Sequence, residues 1–242
     1  MSLYHFLTRR QTIVLPSIAS TLVFFIVFCG IFYAAFINLA RFLSPEQLYG
    51  RGIFVVGGWL HEVELRKAYE IYQQGDYDQL LVVGMPTEQS EMQFETHAER
   101  GAWYFRSFGL PENQLMVLPV PSSDIGRSYV AILTVRNWLQ MRGELPEILD
   151  IASSYAHSRR TRGLYRRAFS STHTKIGAIT LPNPRYQLEG WWRQSHSAKK
   201  VISEFSGWLY TVCCFDAESL EQRYRELSEQ SGYSLPAYLP AK

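Results

Sequence analysis

Apolar runs alternate with amphipathic stretches along most of this chain. Five of the runs have the length and bounding turns of buried strands: Ile53–Val56, Leu80–Val83, Leu115–Leu118, Ile148–Ala152 and Lys175–Leu181. Segments with helical spacing lie after them: Glu62–Gln74, Glu91–Phe108, Gly126–Met141, Ser158–Phe169 and Gly190–Phe215. Continuous apolar strands separated by helices of this length are typical of a parallel sheet covered on both faces. The pattern predicts a Rossmann-like three-layer α/β/α sandwich with a mostly parallel sheet.

The most apolar part of the chain precedes these elements. Between residues 11 and 40 the only ionisable side chains are those of Cys29 and Tyr33. The core of this stretch, Ile18–Ile37, has about the length that a helix needs to cross a bilayer, roughly 20 residues. A cleaved signal peptide is the alternative, but the stretch is long for one and no small-x-small cleavage site follows it. We therefore predict an uncleaved anchor that contacts the lipid bilayer through residues 13–40.

The charges that flank the apolar stretch indicate its orientation. Arg9 and Arg10 precede it, whereas Arg41 follows it and is soon offset by Glu46. Cytoplasmic flanks of membrane helices carry an excess of Lys and Arg. This modest bias favours a cytoplasmic N-terminus, with the rest of the chain on the extracytoplasmic side.

About 200 residues follow the anchor, enough for one substantial core. We predict three parts: a cytoplasmic stub and transmembrane anchor (1–43), an α/β domain (44–215) and a polar C-terminal tail (216–242). The net charge of +2 gives no support to a nucleic-acid partner. The chain contains neither CxxC nor HxxxH, so a structural zinc site is not expected. We predict no metal site and no cofactor.

Glycine-rich and polar positions collect at the carboxyl ends of the predicted strands, where open parallel sheets bind their ligands. Gly57 and Gly58 follow the first strand and allow close backbone approach to a ligand, although a plain tight turn explains them equally well. The chain contains no GxGxxG, GxxxxGK[ST] or GxSxG motif. Nucleotide binding of the dehydrogenase or P-loop kind is therefore not predicted.

The segment after the fourth strand carries the most chemistry. Ser153 and Ser154 lead to His157, and an arginine-rich helix containing Arg160 follows. A strand, a small polar turn and a helix N-terminus gather free N–H groups around an anion. An imidazole and a guanidinium placed there could bind or transform a phosphate or carboxylate. The alternative is a solvated arginine-rich helix after an ordinary turn.

Two further segments supply candidate groups. Asp124 precedes a predicted helix that it could cap, and Arg127 lies in the first turn, where the helix dipole disfavours a cation. Arg127 therefore suggests an anionic ligand or a carboxylate partner. His97 could contribute acid–base chemistry together with nearby acidic residues such as Glu95, although a solvated acidic face explains the same pattern. Glu204 lies among apolar neighbours in the last long helix and is a suitable partner for one of the arginines.

Taken together, these segments resemble the YdcF-like family, which includes the SanA and ElyC envelope proteins. The resemblance runs from about Gly52 to Tyr210. Its strongest part is the pattern S-x-x-H-x-x-R, found at residues 154–160, and the family pattern A-x-x-[IL]-Y-x-x-G is matched at residues 68–75. The family's glycine pair, its aspartate–glycine–arginine turn and its late glutamate match Gly57, Gly58, Asp124, Gly126, Arg127 and Glu204. The family glutamate of the second helix is missing, so His97 or Glu95 would have to replace it.

The resemblance implies a membrane-anchored bacterial protein linked to envelope maintenance. Together with the charges that flank the apolar stretch, it predicts a single-pass protein of the inner membrane with a periplasmic or extracytoplasmic domain. The leading hypothesis is a hydrolase or transferase that acts on a phosphate-bearing cell-wall or lipid-carrier intermediate. The alternatives are a non-catalytic module that senses an anionic ligand, favoured by the lack of a convincing nucleophile, and an S-adenosylmethionine binder. A periplasmic domain would have little access to S-adenosylmethionine, so the last alternative requires a cytoplasmic domain.

The leading hypothesis divides the candidate residues by role. The catalytic group is His157, Arg160 and Asp124, in which His157 acts as general acid or base. The anion-binding group is Gly57, Gly58, Arg127, Ser153 and Ser154, which supply cationic, backbone and hydroxyl donors. The supporting group is His97, Glu95 and Glu204.

Overall fold

The structure, a computed structural model, describes residues 17–87, 93–143 and 145–230. The chain forms two compact units, with the division after Asn38. The first unit contains helix α1 (Ile18–Ile37), whose bounds are those of the predicted apolar core. None of its residues is buried within the protein, and its length and composition would allow it to cross a membrane. The prediction of an apolar helix that could serve as an anchor is confirmed to this extent.

The second unit is built on a five-stranded sheet in which every strand pair is parallel. The strands are β1 (Arg51–Gly57), β2 (Asp76–Gly84), β3 (Leu115–Pro119), β4 (Ile148–Ser154) and β5 (Lys175–Leu181). Their order across the sheet is β3-β2-β1-β4-β5. All five predicted strands are therefore present. Strand β2 begins four residues before its apolar run, because the residues from Asp76 onward already pair with β1.

Helices cover the sheet on both faces. The described helices of this unit are α2 (Leu39–Leu43), α3 (Glu62–Gln74), α4 (His97–Ser107), α5 (Arg127–Met141), α6 (Ser158–Ala168), α7 (Ser195–Cys213) and α8 (Ala217–Gln230). Helices α3 to α6 pack on the sheet, whereas α2, α7 and α8 pack on other helices and turns. Side chains alternate along each strand, so Phe54 and Val56 pack with α3 and α4 while Val55 packs with α5 and α6. The predicted Rossmann-like α/β/α sandwich is confirmed.

Two predicted helices have different bounds in the structure. The helix predicted over Glu91–Phe108 is α4, and it begins at His97 because Thr96 caps it. Thr96 Oγ1 accepts the Glu99 N–H at 3.1 Å, and the Glu99 carboxylate accepts the Thr96 N–H at 3.2 Å. Glu95 therefore lies before the helix and shares no helical face with Glu99. The predicted start at Glu91 lies outside the described residues. The last long helix is preceded by a separate 3-10 turn, Trp191–Arg193, and begins at Ser195.

The start of the predicted polar tail forms a helix that belongs to the core. Tyr224 on α8 is 4 % exposed and packs in the same cluster as Tyr129 of α5. Arg136 of α5 donates to the Glu221 carboxylate of α8 at 3.0 Å. The compact domain thus continues beyond residue 215 through α8, and residues 231–242 lie outside the described part of the chain.

Candidate functional site

The strand order places one crevice at the carboxyl edge of the sheet. The chain leaves β1 toward the face covered by α3 and α4, and it leaves β4 toward the face covered by α5 and α6. Since β1 and β4 are neighbours, their loops diverge and open a space between them. Gly57, Gly58 and Trp59 lie on one side of this point, and His157 lies on the other.

Close packing of glycines fixes the wall formed by α4. A Cβ added to Gly58 would lie 1.9 Å from the His97 carbonyl oxygen, and one added to Gly84 would lie 2.3 Å from the Ala98 nitrogen. A Cβ on Gly101 would lie 2.7 Å from the Gly58 Cα. These are contacts with backbone, which cannot move aside easily. The start of α4 can therefore cross directly over the ends of β1 and β2, and it brings His97 to the crevice.

A strained turn joins β4 to α6. Tyr155 has φ +46°, the one positive φ among the non-glycine residues that the structure describes. Its ring is 1 % exposed and stacks on Tyr186 at 5.1 Å, and its hydroxyl donates to the Gln187 carbonyl oxygen at 2.5 Å. Packing and the hydrogen bond hold this conformation in place. The turn ends at His157, directly before the first residue of α6.

His157 is oriented by a buried carboxylate. Its Nδ1 lies 2.9 Å from Glu204 Oε2 and 3.0 Å from Arg160 Nη2. Nδ1 can either donate a hydrogen bond to the carboxylate or accept one from the guanidinium. The carboxylate favours the tautomer with the proton on Nδ1, as in the histidine–aspartate pair of a catalytic triad. Nε2 then carries the lone pair. Nε2 makes no hydrogen bond to any described residue, and it lies on the side of the ring away from the Nδ1 contact with Glu204.

Glu204 stays ionised because several donors surround it. The Lys200 ammonium lies 2.6 Å from Oε1, and Arg160 Nη2 lies 3.3 Å from Oε2. Burial opposes ionisation, but the hydrogen bonds and charges of His157, Lys200 and Arg160 outweigh it and lower the pKa of Glu204 to about 2. Gly207 leaves room for this arrangement, since a Cβ there would lie 2.6 Å from Arg160 Nη1. The Glu204 carboxylate therefore holds both Arg160 and His157 in place.

His157 lines two sizeable cavities, and the larger has a volume of about 680 Å³. It brings together three more of the predicted residues: His97, Asp124 and Arg127. The side chains of Asp124 and Arg127 are exposed, and within the described part of the chain neither makes a hydrogen bond or ion pair. The suggestion that Asp124 caps α5 is wrong, because Gly126 occupies the N-cap with φ +65° and no side chain caps the helix. Both charged groups are thus available to a ligand.

The smaller cavity, about 290 Å³, lies on the Glu204 side of His157. Besides Ser154, Arg160 and Glu204, it is lined by residues that sequence reasoning did not assign to the site: Trp59, Leu60, His61, Glu64, Asn183, Arg185, Tyr186 and Lys200. Trp59 also lines the larger cavity. Lys200 and Glu204 stand four residues apart in a predicted helix, and this spacing alone indicates that they can form an ion pair. The others come from distant segments that only the fold brings together.

Several of the predicted anion-binding groups already make hydrogen bonds within the protein. The Gly58 N–H donates to the Val83 carbonyl oxygen at 2.8 Å, so this residue serves packing rather than anion binding. Ser154 Oγ accepts from Asn183 Nδ2 at 3.1 Å, and Ser153 Oγ lies 3.3 Å from Thr161 Oγ1. Gly57, Ser153 and Ser154 line a narrow cleft that also contains His157.

One predicted supporting residue lies outside both cavities. The Glu95 side chain is exposed and lines neither of them, whereas its backbone carbonyl accepts the Thr87 N–H at 3.0 Å. Among the residues that the structure describes, no group of three or more His, Cys, Asp or Glu side chains is placed to hold a metal ion. The arrangement offers instead one oriented imidazole, cationic groups on both sides of it, and two polar cavities.

Comparison with known proteins adds no assignment. No protein-family model matches the chain, and a search of curated proteins finds no match. The resemblance to the YdcF-like family is therefore still a prediction, which rests on the residues quoted for it. What the site can do has to be argued from its own geometry.

Proposed function

We propose that this protein is a membrane-anchored enzyme that hydrolyses or transfers a phosphate group of an envelope intermediate, with His157 as its general base. The observation that carries the proposal is the His157–Glu204 pair at the topological switch point of the sheet. His157 Nδ1 contacts a buried carboxylate at 2.9 Å, Nε2 has no hydrogen-bond partner among the described residues, and the residue lines a large cavity. Such an orientation suits proton transfer at Nε2.

Cationic groups around His157 favour an anionic substrate. Arg127 lines the larger cavity without a partner among the described residues, and Arg160 lies one helical turn after His157. His157 itself precedes the N-terminus of α6, an eleven-residue helix whose dipole favours negative charge there. A phosphate in this crevice would be attracted by two guanidiniums and by a helix terminus.

In the proposed reaction, His157 Nε2 takes a proton from a water molecule or an acceptor hydroxyl, and the oxygen forms a bond to phosphorus. The bond from phosphorus to the leaving oxygen breaks, and the imidazolium returns its proton to that oxygen. Glu204 acts as a positioning residue, since it holds the ring and stabilises the imidazolium. Asp124 and His97 line the same cavity and are the further candidates for proton transfer.

The membrane and envelope parts of the proposal rest on the apolar helix α1 and on the YdcF-like resemblance. A protein held at a membrane meets a lipid-linked substrate in a restricted volume, which raises the effective concentration of the substrate. A phosphate-bearing cell-wall or lipid-carrier intermediate is therefore the substrate class that unites the anchor with the cationic crevice.

A non-catalytic anion-binding module is the second candidate. It is favoured by the lack of a nucleophile paired with His157. Neither cavity is lined by a cysteine, and Ser154 in the smaller cavity is bound to Asn183. The serines of the larger cavity make no hydrogen bond to His157: Ser122, Ser123 and Ser128. A module of this kind would bind the same anions and leave them unchanged.

One experiment separates the two. The full chain, purified in detergent, is assayed against phosphorylated and lipid-linked envelope precursors by phosphate release and by thermal stabilisation. We expect turnover that falls about a hundredfold or more in His157→Ala, since general acid–base catalysis contributes roughly 10²–10⁴-fold. His173→Ala is the matched control, because His173 is exposed and precedes β5 at the opposite edge of the sheet.

The outcomes are distinct. Full activity in a folded His157→Ala variant would contradict the assigned role of His157. Stabilisation by a ligand that remains intact in all variants would establish the binding module instead. Arg160→Ala should weaken both binding and turnover, because it removes a cation and also leaves Glu204 with fewer donors.

A further inference from the structure

The smaller cavity contains two buried polar atoms that no group in the described part of the chain satisfies. The Glu64 side chain is 1 % exposed; its Oε2 accepts the His61 N–H at 3.0 Å, whereas its Oε1 has no hydrogen-bond partner. Arg160 Nε is the second such atom. Buried polar atoms are nearly always paired in proteins, because an unpaired one loses its hydration without compensation. A ligand with a donor for Glu64 Oε1 would remove that cost.

One cation beside this cavity is also unengaged. Lys200 and Arg160 both bind Glu204, so part of their hydrogen-bonding capacity is already used. The Arg185 side chain is exposed and makes no hydrogen bond or ion pair to a described residue. Its backbone N–H donates to Asn183 Oδ1 at 2.9 Å, which ties its loop to the cavity wall. The cavity therefore offers a free acceptor, Glu64 Oε1, and free donors, Arg160 Nε and the Arg185 guanidinium.

An aromatic wall completes the cavity. Trp59 is 46 % exposed and lines both the smaller and the larger cavity. An indole ring gives a flat apolar surface, and the polar atoms of Glu64 and Arg185 lie in the same lining. A group that fits has an apolar face and several hydroxyls that both donate and accept hydrogen bonds. A sugar ring has this chemistry.

We propose that the smaller cavity is a subsite for the sugar part of a sugar phosphate, in which one hydroxyl donates to Glu64 Oε1 and Arg185 donates to a neighbouring oxygen. This inference rests on the proposed function: His157 lines both cavities, and the proposed reaction places the phosphate in the larger one. The subsite would distinguish phosphorylated substrates by the chemical group to which the phosphate is attached, and it would favour a sugar. Recognition of the phosphate itself would not depend on it.

The test compares two probes, inorganic phosphate and glucose 1-phosphate, by calorimetric titration of the full chain in detergent. We expect the wild-type protein to prefer glucose 1-phosphate by at least about tenfold. Glu64→Gln keeps the size of the side chain and an acceptor for the His61 N–H but loses the charge, so it should reduce this preference by about tenfold. Arg185→Met should do the same, and neither should change the affinity for inorganic phosphate.

Arg223→Met provides the matched control, since Arg223 is an exposed arginine on α8. Equal affinity of the wild-type protein for both probes, or an unchanged preference in the variants, would overturn the subsite even where phosphate binding and turnover persist. If Glu64→Gln fails to fold, the exposed Arg185→Met variant decides. Retained turnover in His157→Ala would contradict the proposed function instead, and it would leave the difference between the two probes unaffected.

Discussion

Three basic side chains share one carboxylate at the centre of the site. Lys200 binds Oε1 of Glu204, and His157 and Arg160 lie close to its Oε2. Burial would raise the pKa of this carboxyl, but the surrounding donors lower it to about 2. Glu204 is therefore a carboxylate at neutral pH, and it fixes the ring of His157 and the guanidinium of Arg160 together. A single residue thus links the proposed base to one of the cations that would hold its substrate.

Glu204 should make the stability of the domain sensitive to acid. Because its pKa in the folded state lies below the ordinary value of 4.5, its ion pairs contribute fully above about pH 4.5, and the contribution is lost as the pH falls toward about 2. This lowering corresponds to on the order of 3 kcal/mol. We expect Glu204→Gln to lower the free energy of unfolding at pH 7 by about that amount and to flatten its decline below pH 4.5.

Urea unfolding of the full chain in detergent at a series of pH values measures both effects. Glu218→Gln, which changes an exposed residue of α8, should leave the pH profile as it is in the wild-type protein. If Glu204→Gln and the wild-type protein lose stability equally between pH 4.5 and 2, carboxylates other than Glu204 carry the acid sensitivity.

Sequence predicts the parts of the site that are local. His157 and Arg160 stand three residues apart after an apolar run, and Glu204 is an acidic residue among apolar neighbours, so each could be singled out. Glu64 and Arg185 could not, because their importance comes from burial and from a cavity wall shared by distant segments. For Asp124 the sequence suggested a role that the structure does not show. Its position before a helix suggested an N-cap, but Gly126 is the N-cap residue.

At the scale of elements, α4 can cross closely over the sheet because the residues at the crossing are glycines without a Cβ. Gly58→Ala places a Cβ 1.9 Å from the His97 carbonyl oxygen, which forces α4 away from the ends of β1 and β2. We expect a loss of about 2 kcal/mol or more in the free energy of unfolding, comparable to an overpacked core. Since His97 would move with the helix, ligand binding should weaken as well. Thermal and urea unfolding measure the first effect, and titration with phosphate measures the second.

Gly163→Ala is the matched control for this change. Gly163 lies inside α6, and an added Cβ would meet no atom within 4 Å. Alanine is favoured over glycine in a helix by roughly 0.8–1 kcal/mol, so this variant should be more stable than the wild-type protein. If Gly58→Ala were as stable as Gly163→Ala, the close crossing would not constrain the fold.

Helix α8 should behave as part of the domain rather than as a tail. Tyr224 packs in the main core, and truncating a large buried aromatic side chain costs roughly 3–5 kcal/mol. We expect Tyr224→Ala to destabilise the domain by about 3 kcal/mol. The neighbouring change Arg223→Ala, at an exposed position, should stay within about 0.5 kcal/mol. Urea unfolding of both variants checks this, and similar small effects in both would mean that α8 contributes little to the core.

At the scale of the whole molecule, the sequence pattern predicts which elements exist but leaves their order open. Short continuous apolar runs identify the strands because both faces of the sheet are covered. The order β3-β2-β1-β4-β5 depends on which loop crosses which face, and no local pattern records it. Yet this order places Gly57 opposite His157 and creates the crevice. Candidate residues could therefore be named from sequence, whereas their division between two cavities on either side of His157 came from the fold.

The side of the membrane on which the domain lies decides which substrates it can meet. Arg9 and Arg10 before the apolar helix favour an extracytoplasmic domain, as the proposed function requires. The chain has its own probes for this: Cys213 and Cys214 are exposed, free thiols at the end of α7. We expect a membrane-impermeant maleimide to label them in intact spheroplasts.

The third cysteine, Cys29, lies within α1 and is the built-in reference, since a thiol inside a bilayer is shielded from an aqueous reagent. Labelling should therefore vanish when Cys213 and Cys214 are both replaced by serine, and it should persist when Cys29 alone is replaced. If the reagent labels the chain only after lysis, the domain faces the cytoplasm. Soluble phosphorylated metabolites and S-adenosylmethionine would then be accessible to it, and an envelope substrate would have to be abandoned, while the geometry around His157 would stand unchanged.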